Sequence, residues 1–81
     1  MEVKHTVDTR GEYCPIPMIS TLKVLNLIEI GERIEVYASD ELYEKHLGEL
    51  VDEGVCKVIH QNEVGFTSHF ILEKTASLAQ R

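Results

Sequence analysis

The residues with the clearest chemical potential lie in one short stretch, where a cysteine precedes two closely spaced prolines: Cys14-Pro15-Ile16-Pro17. Proline suits the first turn of a helix, because its missing N–H has no partner there and its φ is already near the helical value. A helix is therefore predicted to open just after Cys14. The unpaired N–H groups and the positive dipole end of that helix favour a thiolate, which predicts a lowered pKa for Cys14.

The residues before the cysteine are predicted to form a turn, which supports a helix start just after Cys14. Gly11 gives the turn backbone freedom, while Pro15 and Pro17 fix the helix start on the far side of the sulfur. Arg10 adds a positive charge that Glu12 offsets. The alternative interpretation is a helix start with an incidental small apolar residue, because free cysteine often behaves as a buried hydrophobe.

The chain resembles the TusA (SirA-like) family of small sulfur-carrier proteins, whose hallmark is Cys-Pro-x-Pro at the start of the first helix. The resemblance rests on Asp8-Thr9-Arg10-Gly11 followed by Cys14-Pro15-Ile16-Pro17. It extends through Ile30-Gly31-Glu32, Ala38-Ser39-Asp40 and Phe70-Ile71-Leu72-Glu73-Lys74, and so covers nearly the whole chain.

This resemblance implies a sulfurtransferase that carries sulfane sulfur as a persulfide on Cys14. The donor would be a cysteine desulfurase or a rhodanese-like protein, and the acceptor a downstream protein in tRNA thiolation, molybdenum-cofactor assembly or thiosulfate metabolism. No cofactor is required. Asp8 matches the first position of the motif, where we expect its carboxylate to accept backbone N–H bonds in the turn rather than to transfer protons.

Length and composition limit the function further. With 81 residues, we expect a single domain over residues 1–74 and a mobile tail over 75–81. The net charge of −6 argues against direct binding to nucleic acid. The chain shows no signal peptide and no long apolar span, so we expect a protein of the cytoplasm, away from membranes. We also expect a monomer.

The first half of the chain predicts a strand, a helix and a second strand. Val3–Val7 is the first strand, and Met18, Leu22, Leu25 and Ile28 form the apolar stripe of the helix, which Gly31 ends. Polar and apolar residues alternate from Arg33 to Ala38, so the second strand has one buried face.

The second half predicts a helix followed by a hairpin. Ser39 or Asp40 caps a helix that runs to about Glu53, and Gly54 closes it. Its apolar stripe contains Tyr43, Leu47, Leu50 and Val51. Val55–Gln61 and Phe66–Lys74 are the last strands, joined by a turn at Asn62–Gly65, with Phe66, Ser68, Phe70 and Leu72 on one face.

The order β-α-β-α-β-β predicts an α+β fold, a two-layer α/β sandwich with a four-stranded mixed sheet and both helices on one face. The family resemblance implies the strand order 1-2-4-3. Reactive groups gather beyond the carboxyl ends of parallel strands in such sheets, and Cys14 falls there.

Other chemistries are less favoured. The four histidines are scattered singly, so no metal site is predicted, although His60 and His69 approach each other across the hairpin. Cys56 lies in a strand and is expected to be a packed, inert thiol.

Two alternatives to a sulfur carrier remain open. One is a non-catalytic interaction or redox-regulatory module with the same fold, which the departure of residues 41–53 from the family pattern leaves possible. The other is a thiol-disulfide oxidoreductase, which lacks a second cysteine near Cys14 in the sequence.

Overall fold

The computed structural model describes residues 3–76, along which two helices and four strands follow one another. These elements are β1 (His5–Thr9), α1 (Ile16–Leu27), β2 (Arg33–Ala38), α2 (Glu41–Asp52), β3 (Cys56–Val64) and β4 (Thr67–Lys74). Within this part of the chain, neither helix is long and apolar enough to cross a membrane.

The four strands form one sheet in the order β1-β2-β4-β3. β1 is parallel to β2, and β4 is antiparallel to both of its neighbours, so β3 runs in the same direction as β1 and β2. The predicted strand order is confirmed. So is the predicted α+β class, a two-layer sandwich with a mixed four-stranded sheet and both helices on one face.

Buried and partly exposed side chains alternate along β2, and the buried ones mark the face of the sheet that the helices cover. Ile34, Val36 and Ala38 are buried, whereas the residues between them remain partly exposed. On β4, Leu72 pairs with Ile34 and Phe70 pairs with Val36, and both are buried. These residues form the sheet side of the core, because successive side chains of a strand point to opposite faces.

Helix α1 buries a different stripe from the one its apolar residues predict. The fully buried positions are Pro17, Thr21 and Leu25, spaced by four, while Met18 and Leu22 are only partly buried. Thr21 is buried at little cost because its hydroxyl donates to the Pro17 carbonyl at 2.9 Å. The predicted stripe was therefore wrong by one position at its N-terminal end.

The C-terminal end of α1 and the N-terminal end of α2 are defined by the capping residues Ile28 and Asp40. The last helical residue of α1 is Leu27 and its C-cap is Ile28, so the helix ends before Gly31, which has a φ of +95° in the turn to β2. Asp40 is the N-cap of α2, and its side chain accepts the Leu42 N–H at 3.1 Å. Of the two residues predicted to cap α2, the structure selects Asp40.

The β3–β4 hairpin differs most from its prediction. Asn62 and Glu63 belong to β3, and the turn is at Gly65 and Phe66, between the paired residues Val64 and Thr67. Gly65 has a φ of +63°, a conformation that favours glycine in a tight hairpin turn. Phe66 is 98% exposed at this turn, so it does not share the buried face of β4 as predicted.

The remaining element boundaries shift by small amounts. β1 begins two residues later than predicted, at His5, and β3 begins at Cys56 and extends to Val64. Thr75, assigned from the sequence to the tail, donates its N–H to the Val55 carbonyl at 2.9 Å. Residues 77–81 of the predicted tail lie outside the described residues.

Candidate functional site

Cys14 lies between the end of β1 and the start of α1, directly before the N-cap residue Pro15. Pro17 is in the first turn of α1 and is buried, as expected for a residue that fixes the helix start. The Cys14–Pro15 peptide bond is cis. Cys14 is half-buried and packs against the core.

The lowered pKa predicted for Cys14 was wrong, because burial and the nearby Asp40 carboxylate raise the pKa of this thiol. The start of α1 also offers its sulfur few donors. Pro15 and Pro17 have no N–H, and the Ile16 N–H donates to the Tyr13 carbonyl at 3.0 Å. The prolines that define the helix start thus remove some of the groups expected to stabilise a thiolate.

Asp40 is the residue that the sequence reading did not place at the site. Its Oδ2 accepts the backbone N–H of Cys14 at 2.6 Å, while Oδ1 accepts the Leu42 N–H. Bonds from Cys14 and Leu42 lower the pKa of Asp40, so its carboxylate is charged at neutral pH. One side chain therefore joins the cysteine turn to the start of α2.

A second bond fixes the same turn. The Gly11 N–H donates to the Ser39 hydroxyl at 2.8 Å, and Gly11 has a φ of +85°, which favours glycine. Ser39 and Asp40 reach this turn because β1 and β2 are parallel and end together, with Thr9 opposite Ala38. The sequence signal that could have located both residues is their position directly after β2, a strand predicted to be parallel to β1.

Asp8 and Arg10 interact with each other rather than with the sulfur. The Asp8 carboxylate accepts the Arg10 backbone N–H at 3.1 Å, as the motif position predicted. It also binds the guanidinium, with Nη2 to Oδ2 at 2.6 Å, and Arg10 holds the pKa of Asp8 down to about 2. The guanidinium carbon lies 5.3 Å from the centroid of the Tyr37 ring. The charge expected near Cys14 from Arg10 is thus paired with Asp8.

Exposed apolar residues flank Cys14, and an acidic cavity lies beside its partner Asp40. Tyr13 and Ile16, on either side of the cysteine, are 78% and 52% exposed. A cavity of about 270 Å³ opens beside Asp40, between the start of α2 and the hairpin turn, and Cys14 does not line it. Its lining residues are Ser39, Asp40, Glu41, Glu44, Glu63, Gly65, Phe66 and Ser68. The half-buried Cys14 therefore lies outside this cavity.

The histidines form contacts away from the site. The rings of His60 and His69 are 5.9 Å apart in an edge arrangement, so these residues do approach across the hairpin. His69 Nε2 lies 2.7 Å from a Glu35 carboxylate oxygen. Within residues 3–76, no group of three or more His, Cys, Asp or Glu residues is placed to hold a metal ion.

Cys56 is packed in the core, as predicted. It is 1% exposed at the first position of β3, and burial raises its pKa to about 11. Its strand is parallel to β1, so Cys56 begins β3 at one end of the sheet while Cys14 follows the opposite end of β1. Both thiols are free.

Comparison with known proteins identifies relatives of this chain. The model of the family described as Sulfurtransferase TusA matches residues 5–74. A Thermotoga maritima protein named "Putative sulfur carrier protein" is 33% identical over 64 residues, which are 79% of this chain and 81% of that protein. An Archaeoglobus fulgidus protein of the same name is 47% identical over 45 residues, covering 56% of this chain. That alignment spans 62% of the Archaeoglobus protein, less than two thirds of its length.

A solved structure supports the fold independently. The crystal structure of a SirA-like protein from Desulfitobacterium hafniense superposes with a TM-score of 0.75 and covers 90% of this chain and 100% of that one. At 19% identity, this likeness concerns the fold alone. The match of the family model over most of the chain carries the assignment: the chain belongs to the TusA family of sulfurtransferases.

Proposed function

We propose that the protein is a sulfur carrier that receives sulfane sulfur from a donor protein as a persulfide on Cys14 and passes it to a thiol of an acceptor protein. The observation that carries this proposal is the position of Cys14, half-buried before a helix start whose turn is fixed by Asp40 and Ser39. A fixed turn holds a reacting sulfur in one orientation, which transfer between two proteins requires.

The transfer reaction is an exchange of sulfur between thiolates. In loading, the Cys14 thiolate attacks the outer sulfur of a donor persulfide, R–S–SH. A bond forms between Cys14 Sγ and that sulfur, the donor S–S bond breaks, and the donor leaves as a thiolate that takes up the proton lost by Cys14. In discharge, an acceptor thiolate attacks the outer sulfur on Cys14 in the same way. No external oxidant or reductant is consumed.

The surface supports transfer between proteins and not turnover of a small molecule. Cys14 lies outside the cavity beside Asp40, and exposed Tyr13 and Ile16 flank it. Exposed aromatic and aliphatic side chains next to a reactive sulfur provide an apolar contact for a docking partner. We propose a cysteine desulfurase or a rhodanese-like protein as the donor.

The acceptor pathway is drawn from the family. The candidates are tRNA thiolation, molybdenum-cofactor assembly and thiosulfate metabolism, with the protein acting in the cytoplasm, where thiols remain reduced. Any RNA would be handled by an acceptor protein, because a net charge of −6 disfavours direct contact with phosphates.

A loading assay tests the proposal. The protein is incubated with a cysteine desulfurase and cysteine, then analysed by intact-mass spectrometry without reductant. We expect one added sulfur atom in the wild type and in Cys56→Ala, and none in Cys14→Ser. Absence of loading in the wild type with several desulfurases and rhodanese-like donors would contradict the proposal, as would equal loading of Cys14→Ser.

A further inference from the structure

The acidic side chain at the start of α2 makes a contact that its capping role does not need. An N-cap requires one side-chain oxygen, and Asp40 uses Oδ1 for this purpose with the Leu42 N–H. Its second oxygen accepts the Cys14 N–H at 2.6 Å, the shorter of the two bonds. The carboxylate is thus held directly against the residue that carries the reactive sulfur.

We infer that Asp40 is a positioning residue that fixes the Cys14 turn against α2 and keeps the unloaded Cys14 side chain in its thiol form. This inference deepens the proposed function and rests on it for its biological consequence. Its physical content, the protonation state of Cys14, can be measured without any sulfur donor.

Asp40 is the charged group that shifts the pKa of Cys14. Burial is the largest cause that raises the pKa of Cys14, and hydrogen bonding to Asp40 and the negative charge of Asp40 raise it further. Tyr43, from α2, is the other titratable group that interacts electrostatically with Cys14. Burial raises the pKa of Tyr43, so its phenol stays neutral. The Arg10 guanidinium is bound to Asp8 and not to Cys14. His46 contributes to the lowered pKa of Asp40.

The same charge affects the loaded protein. When an acceptor thiolate attacks the outer sulfur, the bond from that sulfur to Cys14 Sγ breaks and Sγ leaves with the electron pair. A negative charge then develops on Sγ beside the Asp40 carboxylate, which makes Sγ a poorer leaving group until it takes up a proton. Asp40 therefore slows every reaction that needs the Cys14 thiolate, which includes loading as well as nonspecific modification, and it slows loss of sulfur to thiols in solution.

The test compares two charge-removing variants at Asp40 with a matched control on the same helix turn. Asp40→Asn keeps the shape of the side chain, and Asp40→Ser keeps an N-cap oxygen, because Asn and Ser are as well suited to this position as Asp. Glu41→Gln removes one negative charge from the next residue, whose carboxylate has no bond to Cys14. The rate of iodoacetamide alkylation of Cys14 is measured for each protein from pH 6 to pH 10.

We expect the alkylation midpoint to fall by about one pH unit in Asp40→Asn and Asp40→Ser, which increases the thiolate fraction at pH 7 about tenfold. Glu41→Gln should retain the wild-type midpoint. An unchanged or higher midpoint in both Asp40 variants would overturn the inference, and so would an equal fall in Glu41→Gln.

A second readout separates this inference from the proposed function. Loaded wild type and Asp40→Asn are mixed with dithiothreitol, and we expect faster loss of sulfur from the variant. If the wild type does not load from any donor, the proposed function fails, but the alkylation series still decides the role of Asp40. If both proteins load and lose sulfur at equal rates, the leaving-group argument fails and the proposed function stands.

Discussion

The hydroxyl oxygens of Thr21 and Tyr43 lie 2.7 Å apart in the core, where they join α1 to α2. The single hydrogen of the Thr21 hydroxyl is donated to the Pro17 carbonyl, so the Tyr43 O–H is the donor in this bond. The contact links the helix that follows Cys14 with the helix that follows Asp40. It stabilises the relative position of the two segments that meet at the sulfur.

Removing this bond should lower stability without abolishing the fold. Tyr43→Phe keeps the buried ring, which packs 5.5 Å from Phe70, and deletes the donor. We expect the free energy of unfolding to fall by about 1 kcal/mol in urea titration. A double-mutant cycle with Thr21→Val isolates the pair, because Thr21→Val removes the acceptor. Strictly additive effects of the two substitutions would show that the bond contributes nothing.

A buried lysine should stabilise the end of α1. Lys74 is 5% exposed, and its Nζ donates to the Ile28 carbonyl at 2.7 Å, which places a positive charge at the negative end of the helix. Lys74→Met keeps most of the aliphatic stem but leaves that carbonyl without its donor.

We expect Lys74→Met to reduce the free energy of unfolding by about 1–2 kcal/mol. Lys57→Met is the matched control, because Lys57 is exposed and its ion pair with Glu73 spans 3.4 Å. Exposed pairs of this kind contribute less than about 1 kcal/mol. Similar losses in the two variants would refute the role assigned to the Ile28 contact.

The Asp8–Arg10 pair should make stability depend on acid pH. The pKa of Asp8 is about 2 in the folded protein, against about 3.9 in an unfolded chain. A depressed folded pKa contributes stability above the unfolded value, and that contribution is lost as the pH falls from about 4 to about 2. Asp8→Asn has no ionisable carboxyl group at this position, so it does not lose this contribution to stability as the pH falls.

Urea midpoints measured from pH 6 to pH 2 test the prediction for Asp8. The difference in midpoint between wild type and Asp8→Asn should be largest above pH 4 and should narrow toward pH 2. A difference that stays constant over this range would show that the pairing of Asp8 with Arg10 does not favour its ionised form.

The two cysteines should not form a disulfide within the folded monomer. Cys56 is the first residue of β3, whereas Cys14 follows the last residue of the parallel strand β1. Strands of this length span roughly 20 Å, and a disulfide requires Cα atoms within about 7 Å. Peptide mapping of the oxidised monomer should find no link between Cys14 and Cys56, while a link found in folded protein would disprove this sheet topology.

Local patterns in the sequence predicted the elements that depend on neighbouring residues. The prolines predicted the start of α1, and Asp40 was one of two residues predicted to cap α2. The alternation of polar and apolar residues predicted β2. The hairpin turn was misplaced because Asn62 and Glu63 favour turns in isolation, whereas pairing with β4 keeps them in a strand. Tertiary pairing overrode the local preference.

The chemistry at Cys14 could not be read from local patterns. The charge that acts on it comes from Asp40, 26 residues away, and the expected positive partner is held by Asp8. The helix start predicts a thiolate, but burial and the Asp40 carboxylate at the start of α2 raise the pKa of Cys14 instead. Only the parallel register of β1 and β2 brings these residues together.

The central claim is that Cys14 carries a sulfur atom that can leave again, and a single-turnover transfer measures this directly. Cys56→Ala is loaded with radiolabelled sulfur from cysteine and a desulfurase, freed of donor, and mixed with an acceptor thiol. We expect one labelled sulfur per protein, its loss to the acceptor, and a regenerated free thiol at Cys14. Label that stays on the protein, or label carried equally by Cys14→Ser, would contradict it.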